Sequence, residues 1–326
     1  LVIPVAVVGL GWWGAHMLAV LDQPDAPLRV VATVDPDRAK QPTHPDLDAV
    51  LADPAVSAVI LCTPHSQHEA QVVRSAHAGK HVFCEKPLAL SAAAARRAVQ
   101  ACADAGVILG IGHERRFEPA MAEIRGLAAS GGLGTLLHAE AAFSHDKFAA
   151  LAADNWRGDA AEAPAAGMTG MGVHLTDAFI SMLGPVAEVH SFVSKRVLDL
   201  PTGDVVSAHL RFAGGATASL SAVSATPFYG RYAVFGSEAW AETRDTGHPE
   251  QGGAGSVTVC RRGSSPVTAD YPATDPVLAN LAAFADAVAG RAAYPFTEHD
   301  LVHNVQVLEA IVQSAVTHAP VALSAP

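Results

Sequence analysis

A glycine-rich turn, an acidic residue and a lysine carry the chemistry most readable in this chain. Gly9-Leu10-Gly11-Trp12-Trp13-Gly14 has the spacing G-x-G-x-x-G. It follows the apolar run Val5–Val8 and opens a helical stretch. The first glycine permits a tight turn, the second lets the backbone approach a pyrophosphate, and the third lets helix and strand pack closely. The helix start adds unsatisfied N–H groups and a favourable dipole for that anion. Asp35 ends the next apolar run, 21 residues after Gly14. A carboxylate there accepts hydrogen bonds from the adenosine ribose hydroxyls and repels a 2′-phosphate. The reading is NAD over NADP, with Arg38 as a nearby cation able to pair with such a phosphate. The local alternative is an aspartate that caps the turn Asp35-Pro36-Asp37.

Two further segments follow apolar runs: Cys62-Thr63-Pro64-His65-Ser66-Gln67-His68 and Cys84-Glu85-Lys86-Pro87. Open α/β sheets bind ligands at the carboxyl ends of their strands. Lys86 is placed there, with Pro87 fixing the backbone just after it. A lysine in that position can exchange a proton with a reacting hydroxyl if it is partly desolvated. Without its neighbours it would read as a surface lysine.

Positioning these residues requires strands that alternate with helices. Val5–Val8, Leu28–Val34, Ala58–Leu61, His81–Cys84 and Val107–Ile111 read as strands. Helical stretches separate them, the last running from an N-cap at Ser91 to a C-cap at Gly106. This alternation indicates a parallel, doubly wound sheet. Beyond about Arg116 strand-like runs dominate: Thr135–Phe143, Val186–Val193, Val205–Phe212, Ala216–Ser224 and Arg231–Phe235, with Gly214-Gly215 as a hairpin signal. Met171–Met182, Val277–Ala289 and Leu301–Val316 read as helices, and Gly247–Ser265 as a mobile loop or hairpin. The expected organisation is residues 1–118 as a dinucleotide-binding domain and 119–326 as an α+β domain with an open, mainly antiparallel sheet.

Composition excludes several classes. Half of the 326 residues are apolar and 16% charged, so the chain is not disordered. A net charge of −11 and 6% aromatics argue against nucleic-acid binding. No apolar run is long enough to span a bilayer, and the start lacks a signal-peptide pattern. Four dispersed cysteines suit a reducing compartment, so a cytoplasmic location is expected. His65/His68 and His299/His303 have metal-like spacing but no third ligand, so no metal is expected. His299/His303 reads as a solvated helix face and His65 as a loop or cofactor-edge residue. One of Trp12 and Trp13 is expected to pack against the second domain and the other to line the cofactor cleft. Tyr229 and Tyr232 read as sheet-face packing.

Taken together, the glycine motif, Thr63-Pro64 with His68, and Glu85-Lys86-Pro87 resemble the glucose–fructose oxidoreductase / inositol dehydrogenase (Gfo/Idh/MocA) family. Gly112-His113-Glu114-Arg115-Arg116-Phe117 is similar to the family's turn into its second domain. Trp156-Arg157 resembles its W-R pair, and Gly172-Val173-His174-Leu175-Thr176-Asp177 its G-x-H-x-x-D helix. The resemblance implies a Rossmann domain, a second sheet domain and NAD(P)-linked oxidation or reduction of a sugar, polyol, cyclitol or related alcohol. It implies Lys86 and His174 as the proton-transfer residues. Gly9, Leu10, Gly11, Trp12, Trp13, Gly14, Asp35, Thr63, Pro64, His65, His68 and Glu85 would border the cofactor, together with Lys86. Arg115, Trp156, Arg157 and Asp177 would face the substrate.

One position departs from the family pattern: Gly170 stands where an aspartate is usual. Three replacements are open, namely Lys86 and His174 acting as a pair, Asp177 orienting His174, or Glu114 supplying the carboxylate. Asp177 could equally serve a hydrogen bond of the fold. Arg115 and Arg116 could bind an acidic group or form salt bridges, with Arg115 the one assigned to the pocket. Two other functions remain: a redox-neutral lyase or glycosidase with tightly held NAD, and a non-catalytic NAD-linked sensor. A homodimer or homotetramer is expected, because an open sheet must cover its outer face.

Overall fold

The structure, a computed structural model, describes residues 2–151, 155–247 and 255–324. The first elements are β1 (Ile3–Val8), α1 (Trp12–Leu21), β2 (Leu28–Val34), α2 (Leu47–Ala52), β3 (Ala58–Leu61), α3 (His68–His77), β4 (His81–Cys84), α4 (Ala92–Ala105) and β5 (Leu109–Ile111). Then come α5 (Pro119–Ala129), β6 (Leu136–Ser144), α6 (Val173–Leu183), β7 (Val186–Ser194), β8 (Val205–Phe212), β9 (Thr217–Val223), β10 (Tyr229–Gly236) and β11 (Ala239–Asp245). The chain closes with β12 (Gly255–Arg261), β13 (Val267–Tyr271), α7 (Pro276–Val288), α8 (Glu298–Thr317) and β14 (Val321–Ala322). It divides into two compact units, Leu1–Glu114 with Val277–Val302, and Arg115–Pro276 with His303–Pro326.

In the first unit the described strands pair in the order β2-β1-β3-β4-β5, all parallel. β1 and β3 are apolar along almost their whole length because both sheet faces are covered. Ser91 accepts from Ala94 N–H and Gly106 closes α4 in the left-handed region, both as the sequence indicates. A single boundary at 118/119 leaves out one feature: residues 277–302 return to this unit. The return is held by burial and by a polar clamp. Phe284 packs on Phe83 with ring centroids 5.6 Å apart, and Leu281 is fully buried with them. Asn280 donates to Ile111 O at 2.8 Å, and Tyr294 Oη accepts from Ile111 N–H at 3.1 Å.

In the second unit the strands run β13-β12-β11-β10-β6-β9-β8-β7-β14. Every described pairing is antiparallel except β6 with β9. The period-two burial of β8 and β9 turns one face inward. That face forms one core with Met121 and Ile124 of α5, Phe179 of α6 and Val307 and Ile311 of α8. The outward face carries ion pairs, among them Arg231 with Glu140 and Glu242. Of the two readings of Gly247–Ser265, residues 255–261 take the hairpin one: they form β12, whose backbone pairs antiparallel with both β11 and β13. Residues 248–254 of that segment lie outside the described residues. His303 is not on a solvated face: it is fully buried and its Nε2 accepts from Val186 N–H at 2.8 Å. Tyr232 is buried in the core, whereas Tyr229 is 44% exposed.

Candidate active site

In the first unit the strand order reverses between β1 and β3, which places the ligand-binding crevice of such a sheet at their carboxyl ends. The glycine loop occupies that point. Gly9 has φ +90°, and a Cβ on Gly14 would lie 1.8 Å from Gly9 O. Both positions therefore need glycine for the turn itself. Gly11 differs: a Cβ there would meet nothing within 4 Å, and no side chain caps α1. Open space above an uncapped helix start suits a pyrophosphate, so the chain's own residues fit a dinucleotide. Gly14→Ala is expected to force the loop open. Its melting temperature should fall, reflecting an overpacking cost of ~1–3 kcal/mol, and NADH binding followed by fluorescence should weaken at least about tenfold.

Asp35 is 5% exposed at the end of β2. It accepts from Leu10 N–H at 2.7 Å, Asp37 N–H at 2.8 Å and the Lys40 ammonium at 3.0 Å. Burial alone would raise its pKa, but the Asp37 N–H, Lys40 and the Leu10 N–H together hold it below the usual range. Asp35 thus braces the glycine loop through Leu10 N–H. Trp13 packs on the core of its own unit, with its ring 4.9 Å from His16, and Trp12 is 55% exposed.

The residues after β3 and β4 are tied together by His68. This residue is fully buried, with Nδ1 2.8 Å from Pro87 O and Nε2 3.0 Å from Thr63 O. Both ring nitrogens are engaged inside the fold, so His68 is a strut between the two segments rather than a ribose contact. Thr63 donates to Gln71 at 2.6 Å, and Pro64 leads into the short turn His65–Gln67, in which His65 is buried. Glu85 is also buried, and its carboxylate lies where a Cβ on Gly112 would be, 2.4–2.6 Å away. It accepts from Lys86 N–H at 3.2 Å. Lys86 itself is half-buried, followed by a cis peptide to Pro87. Burial raises the pKa of the Cys62 and Cys84 thiols, as does Glu85, so neither is a ready nucleophile.

The second unit places its site residues around α6. A π turn, Met168–Gly172, leads into that helix, with Ala165 and Ala166 at φ +59° and +53° just before it. Such turns and left-handed alanines cost backbone energy and cluster at functional sites. His174 in the first turn of α6 is 3% exposed, with its ring 6.3 Å from Phe143. At Gly170 a Cβ would lie 3.0 Å from Phe148 Cζ, so an aromatic ring borders the place of the family aspartate. Phe148 also packs edge-on against His145 at 5.5 Å.

Two residues assigned to the substrate have other partners. Asp177 is 3% exposed and accepts two bonds from Arg116, Nε to Oδ2 and Nη2 to Oδ1, each 2.7 Å. A carboxylate held on both oxygens by a buried guanidinium holds α6 to the Glu114–Phe117 turn, and the assignment of Asp177 to the substrate gives way to this structural role. Arg115 donates to Asp245 at 2.5 Å and to Glu118 at 3.2–3.3 Å, and its Cζ lies 4.7 Å over Phe143. Two carboxylates of its own unit thus hold it in place. Burial pushes the Glu118 carboxyl up to about 7, against the pull of Arg115. Trp156 and Arg157 stack on each other at 4.2 Å in a turn capped by Asn155.

Sequence reasoning passed over Lys40, His145 and Phe148. Lys40 lies two residues beyond Arg38, so the paired cations after Asp35 were its signal. His145 directly follows β6 and nothing local marks it. Among the described residues no group of three or more His, Cys, Asp or Glu side chains is arranged for a metal, and no helix is long and apolar enough to cross a membrane.

Comparison with known proteins matches residues 3–113 to an oxidoreductase family with an NAD-binding Rossmann fold, and residues 121–242 to the GFO/IDH/MocA C-terminal domain. A 2,7-anhydro-N-acetylneuraminate hydratase of Mediterraneibacter gnavus is 32% identical over 42% of this chain and 38% of that protein. A myo-inositol 2-dehydrogenase of Thermotoga maritima is 33% identical over 40% of this chain and 42% of that protein. The chain thus matches about two fifths of the length of these relatives. Among solved structures, the aldose-aldose oxidoreductase of Caulobacter crescentus aligns with TM-score 0.83 at 24% identity, covering 99% of this chain and 100% of that one. That likeness extends the shared fold over both units.

Proposed function

Since the chain belongs to the Gfo/Idh/MocA family, we propose that it is an NAD-dependent oxidoreductase acting on a sugar, polyol, cyclitol or related secondary alcohol or its ketone. The observation that carries this reading is the glycine cradle at the strand-order reversal between β1 and β3, with Lys86 at the end of β4, which pairs with β3. Asp35 favours NAD, because its carboxylate suits ribose hydroxyls and opposes a 2′-phosphate. The bound nicotinamide supplies hydride transfer. Gly9, Gly11 and Gly14 shape the loop for the pyrophosphate. Glu85 and His68 hold the segment that carries Lys86. Lys86 exchanges the proton of the reacting hydroxyl, and His174 is the second proton-transfer residue. Trp156 and Arg157 are proposed to border the substrate. Asp177 is held on both oxygens by Arg116, so Lys86 and His174 are proposed to carry the proton chemistry without the family aspartate. A homodimer or homotetramer and a cytoplasmic location complete the reading.

The test is absorbance at 340 nm with NAD and a panel of cyclitols, aldoses and anhydro-sugars. Growth of the NADH band with at least one of them is expected. A protein that binds NADH but reduces no NAD with any of them would speak for the second reading, a redox-neutral addition or elimination with retained NAD. The hydratase relative favours that alternative. It predicts copurified cofactor and no net NADH release.

A further inference from the structure

The strained turn that leads to His174 has to be held from outside. Ala165 and Ala166 sit at φ +59° and +53°, a region alanine adopts only under constraint from its surroundings. The constraint comes from the loop between β7 and β8: Ala166 N–H donates to Thr202 O at 2.7 Å. The π turn Met168–Gly172 follows and runs into α6, with His174 as the second residue of that helix. The same loop reaches a second piece of the proposed site. Leu200 Cδ2 lies 3.2 Å from where a Cβ on Gly158 would be, at the end of the turn of Trp156 and Arg157.

That loop is shaped by one carboxylate. Asp204 is fully buried at its end, one residue before β8. Its Oδ1 accepts from Arg196 N–H at 2.8 Å, and its Oδ2 accepts from Val197 N–H at 2.5 Å and Leu198 N–H at 2.7 Å. Successive N–H groups converging on an anion fix a backbone turn by charge-assisted bonds. Apolar burial does not hold this stretch, since Val197 is 75% exposed. Burial would raise the Asp204 pKa, but the Leu198, Val197 and Arg196 N–H groups outweigh it and keep the carboxyl below its usual range. The Asp204 backbone closes the loop as well. Its N–H donates to Ser194 O at 3.0 Å, and its carbonyl accepts from Ser224 N–H at 2.8 Å. Ser224 in turn borders the head of the π turn, where a Cβ on Gly167 would lie 3.3 Å from its Oγ.

We propose that Asp204 is a positioning residue of the site: its carboxylate shapes the β7–β8 loop, which holds the π turn before His174 through Thr202 O and the turn of Trp156 and Arg157 through Leu200. The proposal rests on the roles given above to His174, Trp156 and Arg157. Asp204 touches neither substrate nor coenzyme; it sets where a proton-transfer imidazole and a substrate-bordering pair stand. A misplacement of about 1 Å in such groups costs about 10²-fold in rate. Removing the carboxylate frees three N–H groups at once, and the loop loses the shape that aims Thr202 O at Ala166 and Leu200 at Gly158.

Two measurements on the full chain test this, in wild type, Asp204→Asn, Asp204→Ala, Leu200→Ala and Asp199→Ala. Hydrogen exchange followed by mass spectrometry reads the link itself. The peptide containing Ala166 should exchange at least about tenfold faster in both Asp204 variants, while peptides of β1 and α1 keep their wild-type rates. Kinetics with an active panel alcohol read the consequence. In the Asp204 variants kcat/KM for the alcohol should fall at least about tenfold, with NADH Kd within about threefold of wild type and the same number of NADH sites per chain. Half-buried Leu200→Ala keeps the carboxylate and shortens one contact. It should raise the alcohol KM at least about threefold at nearly constant kcat, with wild-type exchange at Ala166. Asp199→Ala removes an exposed carboxylate of the same loop and should change neither measurement. A merely structural role would lower the number of NADH sites and leave kcat per site and KM unaltered, and that result overturns the proposal. So does wild-type exchange at Ala166 in the Asp204 variants, faster exchange there with wild-type kcat/KM, or an unchanged KM in Leu200→Ala. A wild type that turns over none of the alcohols counts against the proposed reaction instead, and exchange at Ala166 then still decides whether Asp204 holds the π turn.

Discussion

Lys86→Ala is expected to lower kcat by about 10²–10⁴, the usual contribution of a positioned acid or base, while NADH affinity stays within a few-fold of wild type. The separation follows from what each residue does. Coenzyme affinity is assigned to the glycine loop and Asp35, which lie on β1, α1 and β2. Lys86 follows β4; it is expected to border the cofactor as well as to carry the proton path, but it is no part of the pyrophosphate cradle. Its neighbours hold the segment without it, since Glu85 lies against Gly112 and His68 binds Pro87 O. Turnover with an active panel alcohol and NADH fluorescence, measured on the same preparation, check this. If kcat is unchanged, Lys86 is not the acid or base. If coenzyme binding collapses with turnover, Lys86 acts on the cradle, and the proposed division of roles fails.

Asp177→Ala should destabilise the second unit by ~3–5 kcal/mol, the range for removing one partner of a buried ion pair. Both side chains are 4% exposed, so the variant leaves the Arg116 guanidinium in a site that water does not reach. Tyr232 is part of the same environment: burial raises its phenol pKa, and the Asp177 charge raises it further. Double replacement of Arg116 and Asp177 by apolar residues should recover much of the loss, because the buried guanidinium goes with its carboxylate. Removing the exposed pair Lys195–Asp199 should by contrast change little, since solvent screens it. Denaturant unfolding of the variants decides the matter. An Asp177→Ala midpoint equal to that of wild type would show that the buried pair is not what holds α6 to the turn.

The legible part of the site is the part encoded locally. The glycine loop, the cap at Ser91 and the end of β2 at Asp35 depend on residues a few positions apart, so spacing was enough to place them. The outer sheet was legible as strands, because period-two burial is also local. The parallel pairing of β6 with β9 was not, since register depends on which strand arrives alongside. The site residues that changed role did so for the same reason. Asp177 meets a guanidinium 61 residues away, and His68 reaches a carbonyl 19 residues away. Helical spacing told which face each occupied, not what stood opposite.

By itself the sequence determined a parallel nucleotide-binding unit and a mainly antiparallel second unit, because apolar periodicity and turn residues act over short range. Tertiary structure alone decided the return of residues 277–302 to the first unit, where Phe284, Asn280 and Tyr294 clamp the end of β5. It also decided that Arg115, Arg116 and Asp177 serve the fold and that Lys40 neutralises Asp35. Each of these is a pairing of charges or surfaces distant in sequence or set by loop geometry, and desolvation makes such pairing obligatory once the groups are brought together in the folded chain.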